Sequence, residues 1–277
     1  MTGLSAVVTT GLPMALLDGL TAAQMSQGGI YEQIASNFSL SASLWVNVAL
    51  AGLSILLFVA MGRNLSTGRG RLIWVSALLV PLVSLASYAA LISGLTVSQI
   101  TMPAGHALAG QEVLQPWGRY LTWTFSTPMI LIALGLLADA DLDSLFTAVT
   151  MDIGMCVTGL AAALITSSTL LRWVFFGIST AFFVAVLYVL LVQWPADAGA
   201  AGTGEIFTTL RTLTVVLWVG YPVLWALGVE GIALLSIAET SWGYSTLDIF
   251  AKYVFAFLLL RWVGLNEGSM GVGDPLA

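Results

Sequence analysis

The sequence predicts an all-α membrane protein: a seven-transmembrane-helix bundle with its N-terminus extracellular and its C-terminus cytoplasmic. Three observations carry this. The 277 residues are 58% hydrophobic and only 8% charged, too apolar for a soluble domain. Seven continuous apolar runs, at 41–62, 72–95, 117–138, 144–167, 170–193, 206–228 and 240–262, have the length of about 20 residues that a spanning helix needs. The arginines are also lopsided. Arg63, Arg69 and Arg71 lie between the first two runs, Arg211 opens the sixth and Arg261 closes the seventh. Those five fall on one side, against Arg119 and Arg172 on the other, and basic residues concentrate on the cytoplasmic side. Barrel strands would be about 10 residues long and would alternate. These runs do neither, and a helix satisfies its own backbone in lipid.

Residues 1–40 are mixed and mildly polar. No basic residue precedes the short apolar stretch Val7–Leu17, so it makes a poor secretory signal. We read 1–40 as an extracellular leader or cap, 41–267 as the transmembrane domain and 268–277 as a cytoplasmic tail. Most loops are short, which makes consecutive helices antiparallel neighbours. The exception is Thr96–Pro116, which holds His106, the only histidine. Loops of that length are usually functional or serve as caps. A lone histidine makes no metal site, and a surface role in the loop is expected. Cys156 is a single cysteine inside an apolar run, so there is no disulfide framework. Pro81, Pro128 and Pro222 fall inside runs, which membrane helices tolerate where neighbours satisfy the freed carbonyls. The net charge of −6 points away from nucleic acid. Membrane lipid is the expected surrounding partner.

The seventh run carries Asp248 and Lys252 near its middle, four residues apart and so on one helix face. Charged groups at that depth are costly and by default functional. One account is a structural ion pair. The sharper one is that Lys252 is not a free amine, because a desolvated lysine is suited to condense with a carbonyl as a Schiff base. Asp248 then balances the protonated imine as counter-ion.

On the third run Arg119, Thr122 and Ser126 share one face, at i, i+3 and i+7. At about 1.5 Å per residue, Thr122 comes level with Asp248 and Ser126 with Lys252. The plainer account has the two hydroxyls bonding back to their own helix. Charge argues for more. A protonated imine and Arg119 are each positive and Asp248 is negative, which leaves an excess of +1 where unpaired charge is costly. No second carboxylate lies on this face, since Thr122 holds the obvious position. The remaining remedies are that the imine loses its proton or that an anion binds, and a small halide beside the imine, held by Arg119, Thr122 and Ser126, is the consistent solution. Ala133 continues the same face, where a proton path toward the cytoplasm would want a carboxyl.

The sixth run places Trp218, Tyr221, Pro222 and Trp225 on one face. With Trp123 and Phe176 they suggest a long, flat, apolar cavity, although core packing gives the same periodicity. At this point the segments Arg119-Tyr-Leu-Thr-Trp123, Ser126-Thr-Pro128, Trp218-Val-Gly-Tyr-Pro-Val-Leu-Trp225 and Leu247-Asp248-Ile-Phe-Ala-Lys252 are recognisable together. Over nearly all seven helices the chain resembles the microbial rhodopsins, and among them most closely the halorhodopsins.

The resemblance implies all-trans retinal bound covalently to Lys252, in a pocket formed by Trp123, Met155, Gly159, Phe176, Trp218, Tyr221 and Trp225. Phe176 stands where proton-pumping relatives have tryptophan. Thr122 and Ala133 replace the two aspartates of outward proton pumps, and with Ser126 they look like the chloride-pump pattern. Glu230 matches one of two outer glutamates of proton release. The other position is Thr240, with Glu239 one step off. Tyr88, Thr127 and Asp152 match pocket-supporting positions. Arg211 and Thr214 match residues of the cytoplasmic anion exit, although Arg211 serves equally as a positive-inside anchor. The implied function is a light-driven inward chloride pump in the cell membrane, an ion transporter rather than an enzyme, and homo-oligomers, trimers among them, are common in the family. An outward proton pump and a phototaxis sensor of the same fold are the alternatives.

Overall fold

A computed structural model describes residues 26–270 of the chain. Residues 26–36 form helix α1. There follow α2 (Phe38–Gly62), α3 (Gly68–Ile92), strands β1 (Ser98–Thr101) and β2 (Glu112–Gln115), α4 (Gly118–Ala138), α5 (Leu142–Leu164), α6 (Thr169–Tyr188) and α7 (Trp194–Ala200). Last come α8 (Gly204–Leu227), α9 (Ile237–Asp248) and α10 (Phe255–Met270). Two π-helical turns, Val189–Gln193 and Ile249–Val254, join α6 to α7 and α9 to α10. These junctions are continuous, so each pair acts as one rod.

Most of these helices begin beyond the apolar runs because polar caps set their starts. Asn37 accepts from the Leu40 amide, Thr67 from Gly70, Asp141 from Ser144 and Ser168 from Leu171. Each satisfies an amide that the first turn leaves free. At α9, Ser236 and Glu239 form a reciprocal capping box. The first span therefore begins at Phe38 rather than 41, the second at Gly68 rather than 72, and the fifth reaches Ala200 rather than 193.

Among the described residues, six helical rods are long and apolar enough to cross a membrane by themselves. The seventh, α9–α10, carries the buried ionisable pair and is interrupted by its π turn. Helices adjacent in sequence pack side by side, and α9–α10 closes the ring against α2, α3 and α8. Leu53, Leu56, Phe125, Phe146, Val184 and Val216 point outward and exposed, as lipid-facing side chains do. The inner half of the bundle is an apolar plug of residues such as Leu131, Leu134, Phe207, Leu210, Phe255 and Leu259.

The long loop is not plain coil. β1 and β2 pair antiparallel, from Ser98 opposite Gln115 to Thr101 opposite Glu112. Gly110, at φ 77°, supplies a left-handed turn that other residues resist. Helix α1 packs Ile30 and Ile34 against Leu40, Leu91 and Val97 at the same outer end. Of the proposed segments, residues 1–25 and 271–277 lie outside the described residues.

Candidate functional site

Asp248 ends α9 and Lys252 sits inside the π turn that follows. Such turns displace the helix from its normal register and are frequent at functional sites. Both side chains are buried, and Nζ of Lys252 lies 3.0 Å from Oδ2 of Asp248. The two form an ion pair across one helix turn. Asp248 is fixed from two further directions. The Tyr88 hydroxyl donates to Oδ2 at 2.7 Å and the Tyr221 hydroxyl donates to Oδ1 at 2.7 Å.

Arg119 lies one layer outward. Its Nη2 donates to Ser241 Oγ at 2.6 Å, and its guanidinium carbon stands 5.2 Å from the centre of the Tyr244 ring. Nε and Nη1 have no protein partner among the described residues. Ser241 is itself held by Ser43 Oγ at 2.7 Å. The anchor of Arg119 is thus a serine seam between α2 and α9, and none of its hydrogen bonds goes to Asp248.

The hydroxyls of α4 divide. Thr122 donates to the Gly118 carbonyl at 3.1 Å and is in contact with Ser87 Oγ. Ser126 is fully buried and its Oγ has no partner among the described residues. Thr127 bonds the Trp123 carbonyl at 2.7 Å and Asp152 Oδ2 at 2.6 Å, tying α4 to α5. On α8, Thr214 turns back to the Leu210 carbonyl at 2.9 Å, while the half-buried Arg211 has its guanidinium near the Phe207 ring and its Nε without a hydrogen-bond partner among the described residues.

Beside this cluster runs a narrow, almost wholly apolar cavity. Trp123, Met155, Gly159, Phe176, Trp218, Tyr221 and Trp225 all line it, with Tyr120, Cys156, Phe183 and Tyr244. At one end the Phe176 and Trp225 rings stack with centroids 4.4 Å apart. A Cβ on Gly159 would come within 3.3 Å of Ser179 Oγ and Tyr120 Cε1, so glycine keeps that wall open. Tyr221 is both a wall of the cavity and a ligand of Asp248; it joins the apolar slot to the ion pair.

Residues 38–265 match the sequence profile of the bacteriorhodopsin-like protein family. The chain belongs to that family. It is 74% identical over 259 residues to a halorhodopsin of Haloarcula marismortui, covering 92% of this chain and 94% of that protein. Among solved structures, the bromide-bound halorhodopsin of Halobacterium salinarum superposes with a TM-score of 0.84 at 64% identity, over 86% of this chain and 99% of that one. A structure described as halorhodopsin, a light-driven chloride pump, superposes at 0.83 with 66% identity, over 84% and 98%. The family makes this an integral membrane protein with a retinal chromophore. The flat aromatic slot, the open wall at Gly159 and a buried lysine linked to the slot through Asp248 and Tyr221 fit that group.

Family membership leaves several local findings to the structure. His106, expected at the loop surface, is buried. Its Nδ1 accepts from the Leu108 amide at 3.1 Å, because the hairpin folds the loop down onto the bundle. Burial and the nearby Arg172 lower its pKa below the ordinary histidine value, which favours the neutral form. Arg172 is buried as well and donates to the carbonyls of Ala163, Ile165 and Glu230. Glu230 is buried in the α8–α9 loop and accepts from Gln115 at 3.1 Å. Its would-be partner Glu239 is instead spent on the Ser236 cap.

Sequence reasoning missed Ser87, Ser241, Tyr120 and Tyr244. Serines and tyrosines in apolar runs carry no periodic signal that separates a site partner from a back-bonded hydroxyl. Ser241 and Ser245 at i, i+4 opposite Ser43 and Asn47 on the first run was the one available hint.

Proposed function

We propose that this chain is a light-driven pump that moves chloride inward across the cell membrane, with retinal held on Lys252. When bound, the chromophore supplies light absorption and a double bond that isomerises. The protein's own residues supply the rest. Lys252 presents a positive nitrogen at the bundle centre. Asp248 gives it one negative charge, held in place by Tyr88 and Tyr221.

The buried charge around Lys252 and Arg119 is then counted again, leaving aside Arg69, which pairs with Asp139, and Asp152, whose carboxyl accepts from Thr127. A charged nitrogen at Lys252, Arg119 and Arg172 are positive, while Asp248 and an ionised Glu230 are negative. Arg172 and Glu230, both absent from the simpler count, cancel and leave the excess at +1. Burial raises the pKa of Glu230 against the pull of Gln115, Arg119 and Arg172, which only enlarges the deficit of negative charge. Isolated charge in such surroundings is costly.

The observation that carries the proposal is that the donors facing this excess are unspent. Ser126 Oγ and two nitrogens of Arg119 are buried without protein partners among the described residues. Ser126 and Arg119 therefore take the halide directly. Thr122 holds a position without a carboxylate and acts through its contact with Ser87. Toward the cytoplasm Ala133 is buried among Leu131, Leu134 and Leu137. The described residues packed around it are apolar and offer no carboxyl to return a proton, which argues against an outward proton pump. We assign Thr214 and Arg211 to the exit half.

Illuminated cells expressing the protein test this. Hyperpolarisation is expected in chloride and not in sulfate, with passive proton uptake enhanced by a protonophore. Light-driven acidification in sulfate would select a proton pump, and absence of any photocurrent a sensor.

A further inference from the structure

The outer end of the bundle holds two more cavities, and their walls overlap. One opens outward between α1, β2 and α9 and is lined by Gln33, Ser36, Asn37, Phe38, Leu40, Leu114 and Ile237. None of its lining residues is acidic, and the Gln33 and Asn37 side chains put amides on its rim. The second lies deeper, is almost wholly apolar, and ends on Arg119. The two share three residues: Leu40 of α2, Leu114 of β2 and Ile237 of α9. Each comes from a different element, so together they form a three-sided apolar constriction between the outer cavity and the buried guanidinium.

We propose that Leu40, Leu114 and Ile237 are the entry gate for the anion. The proposal rests on the chloride-pump function above. An apolar constriction blocks an ion by excluding its water, and Arg119 just behind it, with Nε and Nη1 unspent, offers the charge that receives an ion once it has passed. The gate is also sprung by the seam that holds Arg119. Ser43 donates to the Leu40 carbonyl at 2.7 Å and touches Ser241, which anchors Arg119 Nη2. Movement of Arg119 therefore pulls on the helix turn that carries Leu40.

A gate differs from a binding residue in one measurable way: it changes the rates of entry and escape together and leaves their ratio alone. Leu114 is the residue to vary, because it is only half-buried on the hairpin. The pigment in membranes is mixed rapidly with chloride and the visible spectrum is followed. Leu114→Ala should speed both association and dissociation by about threefold or more with Kd unchanged, and Leu114→Trp should slow both. Ile237→Ala, on a separate element, should repeat the effect of the alanine variant. Unchanged rates in all three, or a change confined to dissociation and hence to Kd, would overturn the gate and leave the pump intact. A wild-type spectrum indifferent to chloride would instead overturn the function on which the gate depends.

Discussion

Asp248 receives three partners at once, and Lys252 is the only one of them on its own rod. Tyr88 reaches it from α3 and Tyr221 from α8, both at 2.7 Å, while Lys252 stands 3.0 Å away across one turn. The carboxylate is thereby held still. The lysine has Asp248 as its ion-pair partner and is itself buried.

Replacing Lys252 by alanine should abolish the covalent visible pigment. Borohydride reduction followed by peptide mass analysis should place the retinyl group of the wild type on Lys252. A covalent pigment surviving in Lys252→Ala would remove the assignment.

Thr122→Asp should supply a built-in negative charge beside the nitrogen. The absorption maximum should then lose its dependence on chloride, read by titration in a sulfate background. A dependence equal to that of the wild type would show that the charge deficit lies elsewhere.

Ser126→Ala removes a donor whose loss, at roughly 1.5–3 kcal/mol for a hydrogen bond to a charged group, should raise the halide Kd at least about tenfold. Thr122→Val should cost less, because the Thr122 hydroxyl is already spent on Gly118 and Ser87. A larger effect at Thr122 than at Ser126 would reverse the roles given to the two hydroxyls.

Glu230 makes a prediction about pH. Its folded pKa lies above the ordinary carboxylate value because it is buried. The folded state therefore holds the proton more tightly than the unfolded one. Stability is greatest below the unfolded pKa and falls as pH rises toward the folded value. Glu230→Gln keeps the acceptor for Gln115 and should flatten this slope. Thermal bleaching from about pH 4 upward checks it; parallel curves for the two proteins would contradict it.

The parts of the site that were legible in the sequence are those that break a pattern. Asp248, Lys252 and Arg119 stand out because charge is rare in apolar runs, and the aromatic set of α8 because its spacing is helical. Ser87 and Ser241 were invisible, since a serine in a membrane helix looks the same whether it bonds its own turn or a neighbour. The burial of His106 depends on a hairpin with strands of four residues each, too short to announce itself inside a long loop. Two buried members, Arg172 and Glu230, were missing from the charge count made on the sequence. Arg172 answers backbone carbonyls and Glu230 a glutamine, and neither partnership leaves a trace in residue spacing. The π turn at Lys252 is equally silent, because Ile249–Val254 reads as ordinary helix.

The most direct test is a chloride titration of the visible spectrum of the purified pigment in the dark, starting from a halide-free sulfate buffer. On the proposed function, the bundle centre carries one positive charge more than its side chains balance. The absorption maximum should therefore shift along a saturable one-site curve, and bromide should follow the same course. A spectrum that stays fixed from zero to saturating chloride would mean that the protein balances its own charge, and the account would fail.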